Sequence, residues 1–453
     1  MKLTFYGGAK EVSGSNYLLE VGDKKILIDC GFIQGERDAE QKNFAPFPYD
    51  PKTIAAVLVT HAHVDHTGRL PFLYQQGFRG TIFSTPPTKD LALLLMDDSV
   101  DILARNNQIE EQVVRDLLDI VKNEGKLAAC MKTYGYDAPF LLGDDIEIRF
   151  LNAGHILGSS FVQIRAQGKT ILFSGDIGNM PSLLLDDPAI IEEADYVIME
   201  SVYGDRIREK DRPRRDLLED TIEDTASRGG VLMIPSFALE RTQEILYDMD
   251  RLVVEGRIPH IPVFVDSPLA IDITKVFGKH STFYRKEIKE MLDAKENIFS
   301  FQGLLLTPTV QESKRINDVK APKVIIAGSG MSEGGRILHH ERRYLSDEKN
   351  TLLFVGYQAR GTRGRRIQDG ATSVTIFDDH IPVRTHKVFL EEYSAHADQE
   401  QLIKWAKHFK DSVKKVFIVQ GEEQASNALA YRLQDLLGID TSVPSYGESV
   451  ELE

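Results

Sequence analysis

Three histidines lie within six positions in the segment THAHVDHTG, residues 60–68. The segment follows the apolar run AAVLV and precedes the helix-like run GRLPFLYQQ. An extended loop projects alternate side chains in the same direction, so His61 and His63 can close on one metal ion while Asp65 and His66 turn towards a second. Imidazole and carboxylate ligands together suit zinc, with manganese or iron as alternatives. The spacing therefore predicts a metal site on a loop that follows a strand.

Two later segments offer the ligands that this loop lacks. His155 stands among small residues in LNAGHILGSS, and Asp176 follows an apolar run and is flanked by glycines in LFSGDIGN. Each is weak evidence by itself, because a single histidine is more often structural and SGD is a common turn. Together with the histidine loop they supply a third nitrogen for the first ion and a carboxylate able to bridge two ions.

Composition limits what else the chain can be. Its 453 residues predict two or three domains, and 42% hydrophobic with 27% charged residues is typical of globular proteins. The polar N-terminus is unlike a secretory signal, and no apolar run approaches the roughly 18 residues that span a bilayer, so we expect a cytoplasmic protein without membrane segments. Two cysteines cannot form a disulfide framework. The net charge of −15 argues against indiscriminate polyanion binding but leaves room for a local basic groove.

The pattern of strands changes partway along the chain. Strand-like runs that end in polar or glycine-rich turns, such as KKILIDCG and ADYVIMES, give way between about residues 207 and 383 to strands alternating with amphipathic helices. This alternation predicts βα units around a parallel sheet. The charged segment 205–216 and the segment 376–386 are the expected boundaries. We therefore predict domain segments 1–206, 207–383 and 384–453.

Motifs along nearly the whole chain then point to one family. They are ILIDCG, HAHVDH, AGHILGSS, SGDIGN, IMESVYGD, EEYSAHAD and VQGEE. With these motifs the sequence resembles metallo-β-lactamase-fold hydrolases of the β-CASP family, in particular bacterial and archaeal relatives of the endonuclease of the cleavage and polyadenylation specificity factor. The resemblance implies an α/β fold: an αββα sandwich interrupted by a β-CASP cap, itself a parallel sheet flanked by helices.

The resemblance also implies roles for single residues. Two zinc ions are expected, with manganese as an alternative at the second site. Asp29 would orient the histidine loop without being a metal ligand itself. Glu200 would pair with His396, which would help to protonate the leaving group. The implied catalytic residues are Asp65, Glu200 and His396. The implied ligands are His61, His63 and His155 for the first ion, Asp65 and His66 for the second, and Asp176 as the bridge.

The implied activity is hydrolysis of phosphodiester bonds in single-stranded RNA. In the predicted cap, Phe237 is a candidate for base stacking, although a buried core phenylalanine is the commoner case. A glycine- and arginine-rich run at 359–366 suits phosphate contacts, although a solvated charge run is nearly as common an outcome. The remaining substrate candidates are Arg241, Ser329, Gly330, Arg360, Arg363 and Arg365.

One position departs from the family pattern. Gln420, in VFIVQGEEQ, stands where RNA-processing members usually carry a histidine ligand to the second ion and the DNA-processing branch a valine. A glutamine amide is neutral and a poorer zinc ligand than imidazole, so the second ion should bind more weakly or favour manganese. Natural variation with activity retained, natural loss of activity and an engineered substitution all remain open.

Two other function classes also remain open. One is a hydrolase of a small thioester or lactone, because the fold and metal loop do not fix the substrate. The other is a non-catalytic RNA-binding or scaffold protein, which the departure at Gln420 favours. A homodimer is an open alternative for the assembly. No role is assigned to the histidines outside the motifs, which are His260, His280, His339, His340, His380, His386 and His408.

Overall fold

The computed structural model describes residues 1–35, 39–105, 110–122, 125–208 and 212–453. They divide into two compact units, of which the first joins Met1–Ile207 to His396–Glu453 and the second is Arg208–Ala395. Residues 209–211 of the predicted entrance boundary lie outside the described residues. The second unit extends beyond residue 383, the predicted exit, because the next strand, His386–Leu390, pairs with Thr351–Val355 in the sheet of this unit.

The secondary structure alternates between strands and helices along the chain. The strands are β1 Lys2–Gly7, β2 Asn16–Val21, β3 Lys24–Ile28, β4 Ile54–Leu58, β5 Thr81–Ser84, β6 Met131–Thr133, β7 Phe140–Leu142, β8 Ile146–Asn152, β9 Ser160–Ala166, β10 Lys169–Phe173, β11 Tyr196–Glu200, β12 Val231–Pro235, β13 Val263–Val265, β14 Leu304–Leu306, β15 Lys323–Ala327, β16 Thr351–Val355, β17 Ser373–Ile376, β18 Asp379–Pro382, β19 His386–Leu390, β20 Lys415–Val419, β21 Thr441–Ser442 and β22 Ser449–Glu451. The α-helices are α1 Ala39–Phe44, α2 Val64–Thr67, α3 Leu70–Gln75, α4 Pro86–Arg105, α5 Glu111–Val121, α6 Lys126–Cys130, α7 Arg214–Ser227, α8 Arg241–Val254, α9 Pro268–Lys279, α10 Lys286–Asp293, α11 Val310–Arg315, α12 Ile337–Tyr344, α13 Arg363–Gln368, α14 Gln399–Ala406 and α15 Glu423–Leu437.

The first unit is a sandwich of two sheets. Their strand orders are β22-β1-β2-β3-β4-β5-β6 and β21-β20-β11-β10-β9-β8-β7. Apolar side chains from both sheets, such as Phe5 and Phe173, form a common core between them. The outer face of the second sheet is covered by α14 and α15, through Trp405 and Leu429. Leu27, on the outer face of the first sheet, is also buried. Together with the second unit, this confirms the predicted α/β fold class.

The order of the strands brings the chemistry-bearing loops to one edge of the sandwich. In the first sheet β3 and β4 are parallel, and in the second β10, β11 and β20 are parallel. Asp29, the histidine loop, Asp176 and Gln420 each come just after the carboxyl end of one of these strands, and Glu200 is the last residue of β11. Loops that follow neighbouring parallel strands emerge at the same edge.

The second unit contains a parallel sheet with strand order β14-β13-β15-β12-β16-β19. Buried residues of its strands, such as Met233 and Phe354, pack against residues of α12 and of the antiparallel hairpin β17–β18. The alternation of strands and helices matches the βα pattern predicted for 207–383. In this sheet β12 has β15 on one side and β16 on the other, so the loops after these three parallel strands lie beside one another. Open α/β sheets commonly bind ligands at such a position.

The helices of the described ranges are short or polar by the standard of a membrane span. None of those helices combines the length and the apolar character needed to cross a bilayer.

Candidate metal centre

The histidine loop is fixed to its neighbours through backbone hydrogen bonds. The N–H of Ser160, at the start of β9, donates to the carbonyl of Thr60 at 2.8 Å, which holds the loop of His155 against the histidine loop. The N–H of Gly178 donates to the Ala153 carbonyl at 2.8 Å and ties the Asp176 loop to the same place. A Cβ at Gly178 would lie 2.0 Å from a backbone oxygen, so this close approach requires glycine.

Three imidazoles and one carboxylate converge where the sequence predicts the first ion. Their donor atoms, from His61, His63, His155 and Asp176, all lie within 4.8 Å of one another. The Nδ1 of His63 is 3.1 Å from His61 Nε2 and 3.3 Å from His155 Nε2. Asp176 Oδ2 is 3.4 Å from the Nε2 atoms of both His61 and His155. This donor set has the composition of a zinc site.

The protonation states of these groups fit a cation. Burial lowers the pKa of His63 and of His155 well below the usual value, which favours the neutral imidazole that a metal needs. Burial opposes ionisation of Asp176, but His66 and His61 hold the pKa of its carboxyl well below the usual range. Asp176 Oδ1 is buried and accepts no hydrogen bond from the residues that the structure describes. A buried carboxylate oxygen without a donor is costly unless a ligand satisfies it.

The residues expected at the second ion surround His66 Nε2. This atom lies 3.5 Å from Asp176 Oδ1, 3.8 Å from Asp65 Oδ2 and 3.1 Å from the amide nitrogen of Gln420. Burial alone would lower the pKa of His66, but Asp176, Asp29 and Asp65 raise it well above the usual value. A cation at these carboxylates would oppose the shift, because its charge favours the neutral imidazole.

Asp29 holds the histidine loop from behind with a fully buried carboxylate. Its Oδ2 lies 2.7 Å from His66 Nδ1 and accepts hydrogen bonds from the hydroxyls of Thr60 at 2.9 Å and Ser15 at 3.1 Å. Its Oδ1 accepts from the backbone N–H of Thr60 at 2.8 Å. The carboxylate therefore keeps a proton on Nδ1 of His66, and Nε2 is the ring atom that faces the site and would bind a metal once its own proton has left.

Glu200 and His396 lie beside the same centre. Glu200 Oε1 is 3.4 Å from His396 Nδ1 and accepts the N–H of Ile177 at 2.6 Å, and its Oε2 accepts the N–H of Val202 at 3.1 Å. His396 Nδ1 is also 3.9 Å from Asp176 Oδ2. Burial alone would lower the pKa of His396, but the Glu200 carboxylate raises it above the usual value. An imidazole that holds its proton to higher pH than a free histidine therefore lies at the edge of the metal centre.

The substrate candidates of the second unit lie on the adjacent loops after β12, β15 and β16. The Phe237 ring is 43% exposed, and its edge packs on Gly330, where an added Cβ would lie 2.7 Å from the ring. The hydroxyl oxygen of Ser329 accepts the N–H groups of Glu333 and Gly334 at 3.1 Å each, which leaves its proton to donate. Phe237 is thus an accessible aromatic surface beside the glycine-rich loop of Gly330, unlike a core phenylalanine.

The arginine candidates differ in their accessibility. Arg360 is exposed, whereas Arg241 is buried and its guanidinium bonds Glu244 at 2.5 Å. Arg363 begins helix α13 and donates to backbone carbonyls of Ser332 and Thr375, the latter at 3.1 Å. Arg365 pairs with Asp369 at 2.8 Å within the same helix. Arg363 therefore braces the glycine-rich loop, and Arg360 is the more accessible cation for a phosphate.

Several contacts of the site were missed in the sequence. Ser15 and Thr60 hydrogen-bond Asp29, and the Tyr17 hydroxyl donates to the Gln420 amide oxygen at 3.4 Å. Thr60 directly precedes the histidine motif, which was an available signal. Nothing marks Ser15, directly before β2, or Tyr17, within β2, because single hydroxyl residues carry no pattern of their own.

One histidine without an assigned role has a structural partner in the second unit. His340 is buried, and its Nε2 lies 2.8 Å from Asp266 Oδ2, which also accepts the Ser313 hydroxyl at 2.7 Å. Arg336 donates to Asp266 Oδ1 at 2.7 Å. Burial opposes ionisation of Asp266, but His340, Ser313 and Arg336 lower the pKa of its carboxyl to about 2.

Comparison with known proteins identifies three family domains in the chain. Residues 18–202 match the metallo-beta-lactamase superfamily domain, residues 242–367 the Beta-Casp domain, and residues 380–444 the Zn-dependent metallo-hydrolase RNA specificity domain. The order of these matches agrees with a metallo-β-lactamase fold interrupted by a β-CASP insertion.

Individual relatives match over nearly the whole chain. Ribonuclease TTHA0252 of Thermus thermophilus is 36% identical, with 99% of this chain and 100% of that protein covered. An RNase J-like protein of Methanocaldococcus jannaschii is 32% identical, with 98% of each covered. Transcription termination factor FttA of Methanosarcina mazei is 32% identical over 100% of this chain and 72% of its own length.

A solved structure shares the fold. A protein of unknown function from Enterococcus faecalis aligns with a TM-score of 0.56 at 12% identity, covering 100% of this chain and 99% of that one. At this identity the likeness concerns the fold alone. With the matched domains and the relatives above, the chain belongs to the β-CASP family of metallo-β-lactamase-fold proteins.

Proposed function

We propose that the chain is a metal-dependent ribonuclease that hydrolyses phosphodiester bonds of single-stranded RNA at a centre for two zinc ions. The observation that carries the proposal is the convergence of His61, His63, His155 and Asp176, with a buried oxygen of Asp176 that has no hydrogen-bond donor among the described parts of the chain. A surface loop with incidental histidines would not bury and orient these groups in this way.

The chain's residues divide between the two ions and the proton. His61, His63 and His155 would hold the first ion and Asp65 and His66 the second, with Asp176 between them. Such ions, when bound, supply Lewis acidity that makes a water molecule acidic near neutral pH and offsets charge on the phosphate oxygens.

His396 would provide the proton for the leaving oxygen. Its Nδ1 faces Glu200, and Nε2 would act as the donor. Glu200 is fixed by two backbone N–H groups and cannot turn away without losing both. Because the carboxylate raises the pKa of the imidazole, His396 stays protonated to higher pH than a free histidine.

RNA as the substrate is supported by the names of the relatives. Two of them are called a ribonuclease and an RNase J-like protein, and residues 380–444 match an RNA specificity domain. Phe237 offers an exposed ring on which a base could stack, and Arg360 an exposed cation for a phosphate. The glycine-rich loop of Ser329 and Gly330 lies beside Phe237. These contacts require no base pairing, in agreement with a single-stranded substrate.

Two variants test the proposal. Asp176→Asn should lose both bound zinc and cleavage of a labelled single-stranded RNA, because the amide supplies neither the charge nor the bridge. His396→Ala should lose most of the turnover while it retains the zinc content of the unaltered protein. Undiminished cleavage by His396→Ala would refute its role as proton donor, and cleavage by Asp176→Asn without bound metal would refute the metal-dependent reaction.

A further inference from the structure

Two aromatic rings of the second unit are exposed and have no ring of the chain packed on them. The exposed aromatic residues among the described part of this unit are Phe237, Tyr357, Phe377 and Phe389. The ring of Phe377 packs on His339 with 4.7 Å between centroids, and the ring of Phe389 stacks on Phe354 with 5.5 Å between centroids. Phe237 and Tyr357, which are 43% and 39% exposed, have no such partner among the residues that the structure describes. These two rings are therefore the aromatic surfaces that a ligand can reach.

The two residues follow neighbouring strands of the parallel sheet. Phe237 is the second residue after β12, and Tyr357 is the second residue after β16. The two strands pair in parallel, with Met233 opposite Leu352, and paired strands lie roughly 4.8 Å apart. Both aromatic residues therefore leave the sheet at the same edge and from adjacent positions.

The glycine-rich loop after β15 connects the two positions. The edge of the Phe237 ring packs on Gly330, and the side-chain nitrogen of Gln358 donates to the Gly330 carbonyl at 3.1 Å. Gln358 directly follows Tyr357 and is 1% exposed, so its side chain is an anchor that solvent does not reach. The backbone beside Tyr357 is thus fixed to the same glycine that supports the Phe237 ring.

The loop of Tyr357 also carries a cation. Arg360 is exposed and lies three residues after Tyr357, before α13 begins. Single-stranded nucleic acid is commonly held by positive charge on its phosphates together with aromatic rings on its bases. Because the net charge of −15 repels a polyanion, local contacts of this kind are what a bound strand would depend on.

We propose that Tyr357 is a second base-stacking residue, so that Phe237 and Tyr357 take two separate bases of one RNA strand. The inference rests on the proposed single-stranded RNA substrate and deepens it. Stacking uses the face of a base, which every base offers, so the pair should bind RNA without preference for a sequence. The two rings would hold the strand at the second unit, and the hydrolytic groups lie in the first.

The experiment measures binding of a labelled single-stranded RNA oligonucleotide to the zinc-loaded full chain by fluorescence anisotropy. The oligonucleotide carries phosphorothioate linkages, which resist hydrolysis. Tyr357→Ala should raise the dissociation constant roughly 5- to 150-fold, the loss typical of one stacked base. Tyr357→Phe keeps the ring and should bind like the unaltered protein. Tyr431→Ala, at a tyrosine that is 65% exposed on α15, is the matched control and should have no effect.

A second oligonucleotide separates stacking from a loss of local structure. Every base in it is replaced by an abasic site, so that only the sugars and phosphates remain. The unaltered protein and Tyr357→Ala should bind this oligonucleotide equally, because it has no base to stack. On the first oligonucleotide, Phe237→Ala combined with Tyr357→Ala should show the product of the two single losses, because rings that take separate bases act independently.

Unchanged binding by Tyr357→Ala, or an equal loss on the abasic oligonucleotide, would overturn the inference. A double variant that loses no more than a single one would overturn it too, as would an unaltered protein that does not bind the first oligonucleotide. Cleavage of unmodified RNA is measured separately at saturating Zn²⁺. Absence of cleavage with base-dependent binding intact would overturn the proposed hydrolysis alone, whereas normal cleavage with normal binding by Tyr357→Ala would overturn the stacking pair alone.

Discussion

Replacement of Asp29 by asparagine should disable the second ion site with little disturbance of the backbone. Asp29 has a φ of 58°, a conformation that asparagine tolerates better than most residues. The carboxylate accepts four hydrogen bonds, from His66, from the Ser15 hydroxyl and from both the N–H and the hydroxyl of Thr60. An asparagine has one oxygen to accept them. If this oxygen keeps the N–H of Thr60, the new NH₂ group faces His66 Nδ1.

The imidazole must then move its proton to Nε2 or lose the contact. The first result removes the lone pair that a metal requires, and the second removes the contact that orients the ring. Loss of a group that orients a metal-ligating histidine typically weakens metal binding 10- to 100-fold, or about 1.4–2.7 kcal/mol. Loss of a hydrogen bond to a charged group should also lower the free energy of unfolding by about 1.5–3 kcal/mol.

The assay combines a Zn²⁺ titration with urea unfolding in the presence of a chelator. Ser15→Ala is the matched control, because it removes one hydrogen bond to Asp29 and leaves the imidazole contact in place. We expect the control to lose about 1 kcal/mol of stability and to keep its zinc affinity within a few-fold. If Asp29→Asn folds and binds the second ion as tightly as the unaltered protein, then Asp29 does not set the tautomer of His66.

Three further predictions follow from single contacts. Asp266 has its pKa lowered from 3.8 to about 2, so its ionised form stabilises the fold above pH 4 by about 2 kcal/mol, and this contribution is lost as the pH falls towards 2. Urea unfolding of Asp266→Asn should therefore differ from the unaltered protein at pH 6 and converge with it below pH 4; a constant difference would contradict the assignment. Glu200→Gln removes the anion that raises the pKa of His396, so the alkaline limb of the rate–pH profile should move to lower pH, and an unmoved limb would exclude His396 as the acid. Phe237→Leu should weaken single-stranded RNA binding by about 1–3 kcal/mol without changing its salt dependence, whereas Phe377→Leu, at a ring of similar exposure, should have no effect; equal losses would reject stacking on Phe237.

The histidine loop could be predicted because its spacing and its position after a strand are both local. His155 and Asp176 became persuasive only beside the histidine loop, and Glu200 and His396 needed the family resemblance, because each stands alone in its own segment. The structure brings them together through the parallel order of β10, β11 and β20, which the sequence of each strand does not reveal.

The parts that could not be predicted depend on contacts with distant backbone atoms. Arg363 resembles a phosphate ligand in the sequence, but its guanidinium is engaged by the carbonyls of Ser332 and Thr375. The position of the Gln420 side chain depends on its neighbours His66 and Tyr17, which lie hundreds of residues away in the sequence. His340 gave no signal, because its partner Asp266 lies 74 residues away.

The most direct test of the metal-dependent ribonuclease measures zinc content and RNA cleavage on the same preparation. The full chain is stripped with a chelator, reloaded with increasing Zn²⁺ and assayed at each step on a labelled single-stranded RNA and on its DNA counterpart. We predict that cleavage of the RNA is absent in the stripped protein and rises as the second zinc ion binds. A protein that holds both ions and leaves the RNA intact would contradict the account.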